Sequence, residues 1–367
     1  MKTILHIMGM DSTKYGGIER FNIELAKQLY EKGYRSVFVY EEYPVVQTYS
    51  DDLIKVNSSL VVLNSRKNKL KFCMGLWNLM KMYNVCAVHA HFTKARFYAI
   101  PLALLYGIKN ITYTLHSRID TLDKIKLHTR FWYWWMNRYC KVVAVSKQIE
   151  ETAKSNWENI QCKTLYLGVN EIIGEKLHAR KLLNFPTNHT ILSCIANFNH
   201  IKGLDVLVKA VKLLADKNKI NNIKLYIIGQ PQKDQLELQS LIDKLQLSQY
   251  IQLEGIRNNV SQYLLGSDIY VQPSRSEGLP LSLMECCSVG LPIVASNVGG
   301  IPEIAQNNHN AILFDSENEK MLADNILQMI ENTDMRVKYS TCSKEIFKTL
   351  FSIETNVANL IDFYNLD

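Results

Sequence analysis

Short runs rich in Val, Ile, Leu and Tyr alternate along the chain with longer segments in which apolar residues recur every three or four positions. Short β-prone runs separated by helical patterns are the mark of β-α-β units and a parallel sheet. The alternation occurs twice. A first series of strands is expected at residues 3–8, 36–40, 60–63, 86–89, 111–115, 142–145 and 164–167, with helices such as 18–32 and 70–83 between them. A second series is expected at 190–196, 224–229, 250–253, 269–271, 292–295 and 311–314, followed by three helical stretches that run out to residue 366. Between the series, residues 171–188 are weakly periodic and contain Gly174 and Pro186, which suits a linker. The expected plan is α/β: a Rossmann-like domain over 1–170, a second over 189–349, and a final helix, 350–367, packing back on the first. A cleft between the halves would be the default ligand site.

The chain has 367 residues, 47% of them hydrophobic, enough for two ordinary α/β cores. It contains no low-complexity tract or short repeat, which excludes solenoids. The longest nearly uncharged apolar stretch, 97–108, is well short of the roughly 20 residues that span a bilayer, and Met1-Lys2-Thr3 runs directly into a strand. A cytosolic placement is therefore expected. Eight cysteines include no C-x-x-C pair, so neither a disulfide framework nor a zinc site is supported. The net charge of +7 suits nucleic acid, anionic lipid or phosphorylated substrates and does not choose among them.

The most informative segment is 272–304, QPSRSEGLPLSLMECCSVGLPIVASNVGGIPEI, which places a strand, a Glu277-Gly278 loop and a helix in immediate succession. Pro280 suits the first helical position, leaving the N–H groups of Leu281, Ser282 and Leu283 to face an anion at the positive end of the helix dipole. Glu277 would sit at the mouth of that helix and Glu285 about one turn inside. A carboxylate accepts two hydrogen bonds at once, so Glu285 suits paired ribose hydroxyls and Glu277 the hydroxyls of a sugar.

Each feature also has a plainer reading. An isolated E-x7-E is usually a helix-capping carboxylate and a solvated helix face, Gly16-Gly17 can merely turn the chain into a helix, and Lys202 can be a surface lysine. Gly16-Gly17 is not part of a G-x-G-x-x-G run, which weakens a dinucleotide reading. His89 and His91 lie two apart at a strand end with no third metal ligand evident from the sequence, so structural or acceptor-side roles are favoured.

Taken together, E-x7-E followed by GLPIVASNVGGIPEI resembles the signature of the retaining GT-B glycosyltransferases of family 4, the glycosyl transferases group 1. Tyr15-Gly16-Gly17-Ile18-Glu19, Thr114-Leu115-His116, Ala144-Val145-Ser146, Leu167-Gly168-Val169 and Lys202-Gly203 fall where that family has comparable motifs. The resemblance implies two Rossmann-like domains facing each other across a cleft, the first binding acceptor and the second a nucleotide-sugar. It further implies that Glu285 holds the ribose, Glu277 touches the donor sugar, Lys202 neutralises the diphosphate and the Gly16-Gly17 loop closes over it. Asn197, Gly278, Leu279, Pro280, Leu281 and Ser282 would complete the donor site, with His116 beside the reacting sugar. One departure stands out: the family usually has an arginine five residues before the lysine, and here the position is Asn197. Arg275 or Arg257 could replace that cation, both lying on loops at the carboxyl ends of strands. With no D-x-D carboxylate pair, the resemblance implies metal-independent departure of the nucleoside diphosphate, no cofactor, and retention by front-face attack without a side-chain nucleophile.

Residues 124–141, KIKLHTRFWYWWMNRYCK, interleave basic and aromatic side chains at near-helical spacing. Core packing explains part of this; Lys124, Lys126, Arg130, Trp132 and Trp135 are the candidates for contact with an anionic membrane surface, a reading preferred over nucleic acid. The expected activity is transfer of a hexose or N-acetylhexosamine from a UDP- or GDP-sugar to a lipid-linked surface glycan. The alternatives are a soluble glycan acceptor and a catalytically degenerate partner subunit.

Overall fold

The computed structural model describes residues 1–366 apart from 14, 117–126, 158–159, 221 and 233, and omits the side chains of residues 93–95, 128, 129 and 132. The chain divides into two compact units, residues 1–169 with 353–367, and residues 170–352.

The first unit is built on β1 (Lys2–Ile7), α1 (Gly17–Glu31), β2 (Tyr34–Tyr40), α2 (Gln47–Lys55), β3 (Ser59–Val62), α3 (Lys69–Met82), β4 (Val85–Ala90), α4 (Thr93–Tyr106), β5 (Asn110–Leu115), α5 (Leu127–Tyr139), β6 (Lys141–Ala144), α6 (Lys147–Asn156) and β7 (Cys162–Thr164). Its seven strands run in the order β3-β2-β1-β4-β5-β6-β7, and the pairings are parallel, with His6 beside His89 in the β1–β4 register. Strands covered on both faces carry continuous apolar runs, as in the five buried residues that end β2. One face is covered by α3, α4, α5 and α6, through Phe72, Leu76, Ile100, Ala103, Tyr133, Met136 and Ile149. The other face is covered by α1 through Phe21, Leu25 and Leu29.

The second unit contains α7 (Lys176–Leu182), β8 (Thr190–Ile195), α8 (Leu204–Asp216), β9 (Ile223–Ile228), α9 (Gln235–Lys244), β10 (Ile251–Gly255), α10 (Val260–Gly266), β11 (Ile269–Gln272), α11 (Leu281–Val289), β12 (Ile293–Ser296), α12 (Ile301–Ile304), β13 (Ala311–Phe314), α13 (Glu319–Glu331) and α14 (Thr333–Ile346). Its sheet, β10-β9-β8-β11-β12-β13, is also parallel. Helix α8 shows why the 3.6-residue period forms here: Leu204, Leu207, Val208, Val211 and Leu214 make one buried stripe against the sheet. Both units are Rossmann-like, and in both the strand order reverses beside the first strand, between β1 and β4 and between β8 and β11.

Two segments differ from the sequence expectation. Residues 171–188 are not a bare linker, because they form α7, whose Arg180 donates to Gly266 O at 2.9 Å and to Asp268 at 2.5 Å. Phe185 then stacks on Tyr226 at 4.2 Å. The strand expected at 164–167 ends at Thr164, where Glu150 accepts from its backbone N–H at 2.7 Å. The last helix, α15 (Ile353–Tyr364), lies in the first unit, with Ile353, Val357, Leu360 and Ile361 buried against α1 and the sheet.

Candidate functional site

In the second unit the chain leaves β8 and β11 at the strand-order reversal, where open α/β sheets bind ligands. Two loops meet there. After β8 a short turn at His200–Lys202 leads into Gly203, whose φ of +62° and the 2.0 Å that a Cβ would leave to Pro273 O both demand glycine. The turn is tied to the β11 loop by the Arg275 N–H, which donates to Ile201 O at 2.8 Å. Lys202 is thereby aimed at the segment that follows β11.

Glu277 is the centre of that segment. Its Oε1 accepts from Lys202 Nζ at 2.6 Å, Ser274 Oγ at 2.7 Å and Gln272 Nε2 at 2.9 Å. The Gln272 amide is oriented in turn by Tyr270, whose hydroxyl donates to Gln272 Oε1 at 2.8 Å. The carboxylate is only 8% exposed, so its charge is held by these donors rather than by water. Glycines support its backbone from below: Gly300 N donates to Gly278 O at 2.8 Å, and a Cβ on Gly299 would lie 1.9 Å from Glu277 O. The downstream Gly-Gly thus shapes the loop that carries Glu277.

Helix α11 begins one residue later than its proline suggested. Pro280 is the N-cap, with ψ of 112°, and no side chain caps the helix. Leu283 N–H is engaged by Pro280 O at 3.1 Å, so of the three amides expected to face an anion it is already paired. Gly278, Leu279, Pro280, Leu281 and Ser282 form the approach to the helix, and Glu285 is half-buried just over one turn inside. Asn197 is exposed at the carboxyl end of β8.

Neither proposed replacement cation is spare. Asp205 holds the Arg275 guanidinium in a two-point contact at 2.8 and 2.9 Å, and Glu317 binds it as well. Glu254 holds Arg257 through contacts at 2.6 and 2.9 Å. Each arginine sits within reach of a nearer carboxylate, which satisfies its charge locally.

The first unit carries a second group of polar side chains at its own strand-order reversal. His116 Nε2 lies 3.2 Å from His91 Nδ1, and the His116 ring stacks on Phe92 at 4.2 Å. Removal from water, with the charge of Arg96 adding, pushes His116 down to about 4. His89 is pinned between Tyr364 Oη at 2.6 Å and Thr114 Oγ1 at 2.7 Å. A third histidine overlooked in the sequence, His6, brings its ring nitrogens within 4.8 Å of those of His89 and His91. His6 makes no side-chain hydrogen bond, and burial drives it down to about 3. With both nitrogens of His89 engaged, only His6 and His91 offer an unpaired nitrogen, fewer than the three or four protein ligands of usual zinc sites.

The Gly16-Gly17 turn is used locally: Gly16 caps α1, and its N–H donates to Glu19 Oε2 at 2.9 Å while Ser12 donates to Glu19 Oε1 at 2.8 Å. The membrane candidates fall unevenly. Lys124 and Lys126 lie outside the described residues, as does the Trp132 side chain. Arg130 is exposed, but Trp135 packs partly buried against the first core, because the face of α5 that carries Tyr133 and Met136 turns inward. Among the described side chains of α5, Phe131, Trp134 and Tyr139 face outward, 59%, 56% and 47% exposed.

Comparison with known proteins follows the same division. Residues 175–345 match the family model of the glycosyl transferases group 1, and residues 15–171 match that of Glycosyltransferase Family 4. An uncharacterized glycosyltransferase of Methanocaldococcus jannaschii is 27% identical over 297 residues, covering 78% of this chain and 77% of its own. A UDP-Gal:alpha-D-GlcNAc-diphosphoundecaprenol alpha-1,3-galactosyltransferase of Escherichia coli is 21% identical over 375 residues, covering 95% and 93%. The crystal structure of HepE from Anabaena in complex with UDP superposes with a TM-score of 0.83 at 19% identity over the whole of both chains. Two family models that between them run through both Rossmann-like units, with relatives aligned over most of their length, place the chain among the glycosyltransferases of the group 1 and family 4 kind.

Proposed function

We propose that the protein transfers a hexose or N-acetylhexosamine, with retention and without a metal, from a UDP- or GDP-sugar to a glycan carried on a lipid at an anionic membrane face. The observation that carries the donor assignment is the Lys202–Glu277 pair, set by Gln272 and Ser274 beside the uncapped start of α11. In this reading the diphosphate takes Lys202 and the amides of Leu281 and Ser282, Glu277 turns its second oxygen to sugar hydroxyls, and Glu285 holds the ribose. The bond from the sugar carbon to the diphosphate breaks as the acceptor oxygen attacks the same face, and the acceptor proton passes to a donor phosphate oxygen. His116, held neutral by its surroundings, donates or accepts a hydrogen bond at the sugar without adding charge. The E. coli and HepE likenesses support a UDP-sugar ahead of a GDP-sugar, and the E. coli galactosyltransferase supports a lipid-linked acceptor.

The test is nucleotide release from a panel of UDP- and GDP-sugars with EDTA present, beside a Glu285→Ala control. Release abolished in the control supports a metal-independent transferase and names the donor. Silence across the panel, with no nucleotide binding by calorimetry, favours the degenerate partner subunit, for which the exposed Asn197 and the two neutralised arginines are the supporting observations.

A further inference from the structure

The first unit encloses a cavity at its strand-order reversal. The walls come from the carboxyl ends of four strands and the first turn of α1: His91 after β4, His116 after β5, Val145 after β6, Leu165 and Leu167 after β7, and Ile18. Open α/β sheets place ligands at such an end. The open space is about 20 Å³, enough for one methyl-sized group, since roughly 10 to 15 Å³ holds one water.

The chemistry of these walls is narrow. The surface they turn to the cavity is almost entirely carbon, and none of the side chains lining it is a carboxylate, an ammonium or a guanidinium. An ionised group placed there would lose its hydration without gaining a partner. A water, which needs two to four polar neighbours, is poorly served as well. One polar atom is nevertheless unpaired. His91 is 9% exposed, its Nδ1 is taken up by His116 Nε2 at 3.2 Å, and its Nε2 is buried without a hydrogen-bond partner. A buried polar atom in that state is costly, and its presence in a ligand-binding position calls for a ligand that supplies the partner. Burial, with the neighbouring histidines adding, holds His91 well below the usual imidazole range, so the ring is neutral and offers one N–H and one lone pair.

We propose that this cavity receives the acetamido group of the acceptor, so that the accepting sugar is an N-acetylhexosamine: the methyl fills the apolar space and the amide pairs with His91 Nε2. This assignment rests on the transferase reading, in which the first unit binds the acceptor, and it narrows that reading to one acceptor class. An acetamido group carries both an N–H and a C=O, so it satisfies either tautomer of His91. A 2-hydroxyl can pair with the nitrogen but leaves the space empty. The methyl of a 6-deoxy sugar fills the space but leaves the nitrogen unpaired. A free 2-amino group would bring a charge to walls that hold no counter-charge. Because His91 Nδ1 faces His116, the amide's choice of donor or acceptor also fixes which His116 nitrogen carries its proton.

The full chain, with UDP and GDP present to occupy the donor site, is titrated with the methyl α-glycosides of N-acetylglucosamine and N-acetylgalactosamine, each beside its 2-hydroxyl partner, and followed by saturation-transfer NMR. At least one acetamido glycoside should bind about tenfold or more tightly than its partner, the worth of a methyl in an apolar pocket, with its acetyl methyl the most strongly saturated group. Val145→Ile adds one methylene to the wall, and His91→Phe keeps a ring while removing the nitrogens; each should erase the preference with circular dichroism unchanged. Equal affinity within both pairs, no binding by either acetamido glycoside, or a preference retained in Val145→Ile would overturn the assignment, and none of these readings needs turnover. Nucleotide release from the donor panel, measured on the same preparations without added UDP or GDP, separates the two failures. A chain that releases nucleotide but shows no acetamido preference fails the acceptor assignment alone, and one that shows the preference but releases nucleotide from no donor fails the transferase reading.

Discussion

Glu277 is held at one oxygen by three donors, and a carboxylate so nearly out of water is worth its desolvation only if its charge or its geometry is used. Glu277→Gln keeps the shape and removes the charge. Turnover is expected to fall about a hundredfold, the scale on which a single electrostatic contact acts at a reacting centre, with the secondary structure intact. Steady-state kinetics on the donor found by nucleotide release checks this, and an unchanged kcat would assign Glu277 to loop structure alone. Gly203→Ala makes the complementary point about backbone. A Cβ there meets Pro273 O and needs a left-handed backbone, so the folded state should lose at least about 2 kcal/mol in urea titration. The histidines of the first unit make stability depend on pH. His6 and His116 are neutral in the folded chain and lowered to about 3 and about 4, while unfolded they titrate near 6.5. Their folded values are depressed, so the unfolded chain takes up protons first, and stability is whole above about pH 6.5 and lost progressively as pH falls toward 4. The urea midpoint should drop over that window, and His6→Leu should flatten the drop; an equally steep fall in the variant would remove His6 from the account.

At the scale of elements, the β-α-β alternation was readable because buried parallel strands and amphipathic helices differ in period, and strands such as 190–196 and 224–229 fall within a residue or so of β8 and β9. Helix α7 was not readable: among its seven residues only Ala179 is buried, and Arg180 reaches a carboxylate nearly ninety positions away. The same limit applies to the sites. The Glu277 to Glu285 spacing and Lys202 are local and were seen, whereas Gln272 and Ser274 carry no spacing signal of their own and enter the site only because the fold turns them onto Glu277. His6 joined His89 only through the β1–β4 pairing, and Tyr364 reached it only through α15. That Trp135 packs partly buried against the core was not legible, because near-helical spacing of aromatics does not reveal which stripe faces inward. Tyr364→Phe tests the longest of these connections. It removes the 2.6 Å hydrogen bond to His89 Nδ1 inside a buried site and should cost about 1 to 3 kcal/mol, read as a lowered urea midpoint.

At the scale of the molecule, the two units make opposite demands on the chain. The second is continuous, residues 170–352, and closes its own core from α8, α9, α13 and one face of β8, β9 and β11, while Phe185 and Tyr263 cover Ile191, Tyr226 and Ile228 on the other. The first is discontinuous: its sheet face opposite α3 to α6 is completed by α15, which arrives after the whole second unit has been made. Without it Phe21, Leu25, Val143 and Leu165 lose their cover from Ile353, Val357, Leu360 and Ile361, and His89 and Lys141 lose partners at Tyr364. Burial of four such side chains is worth roughly 1.5 to 3 kcal/mol each, comparable in sum to the whole stability of a domain. Residues 170–352 expressed alone should therefore melt cooperatively, and residues 1–169 alone should not. Adding a peptide of residues 350–367 should restore a cooperative transition to 1–169, since it supplies the missing layer in trans. Cooperative folding of 1–169 without the peptide would mean that α15 only decorates a core already complete, and the stability assigned to its contacts would have to come from the sheet and its other helices.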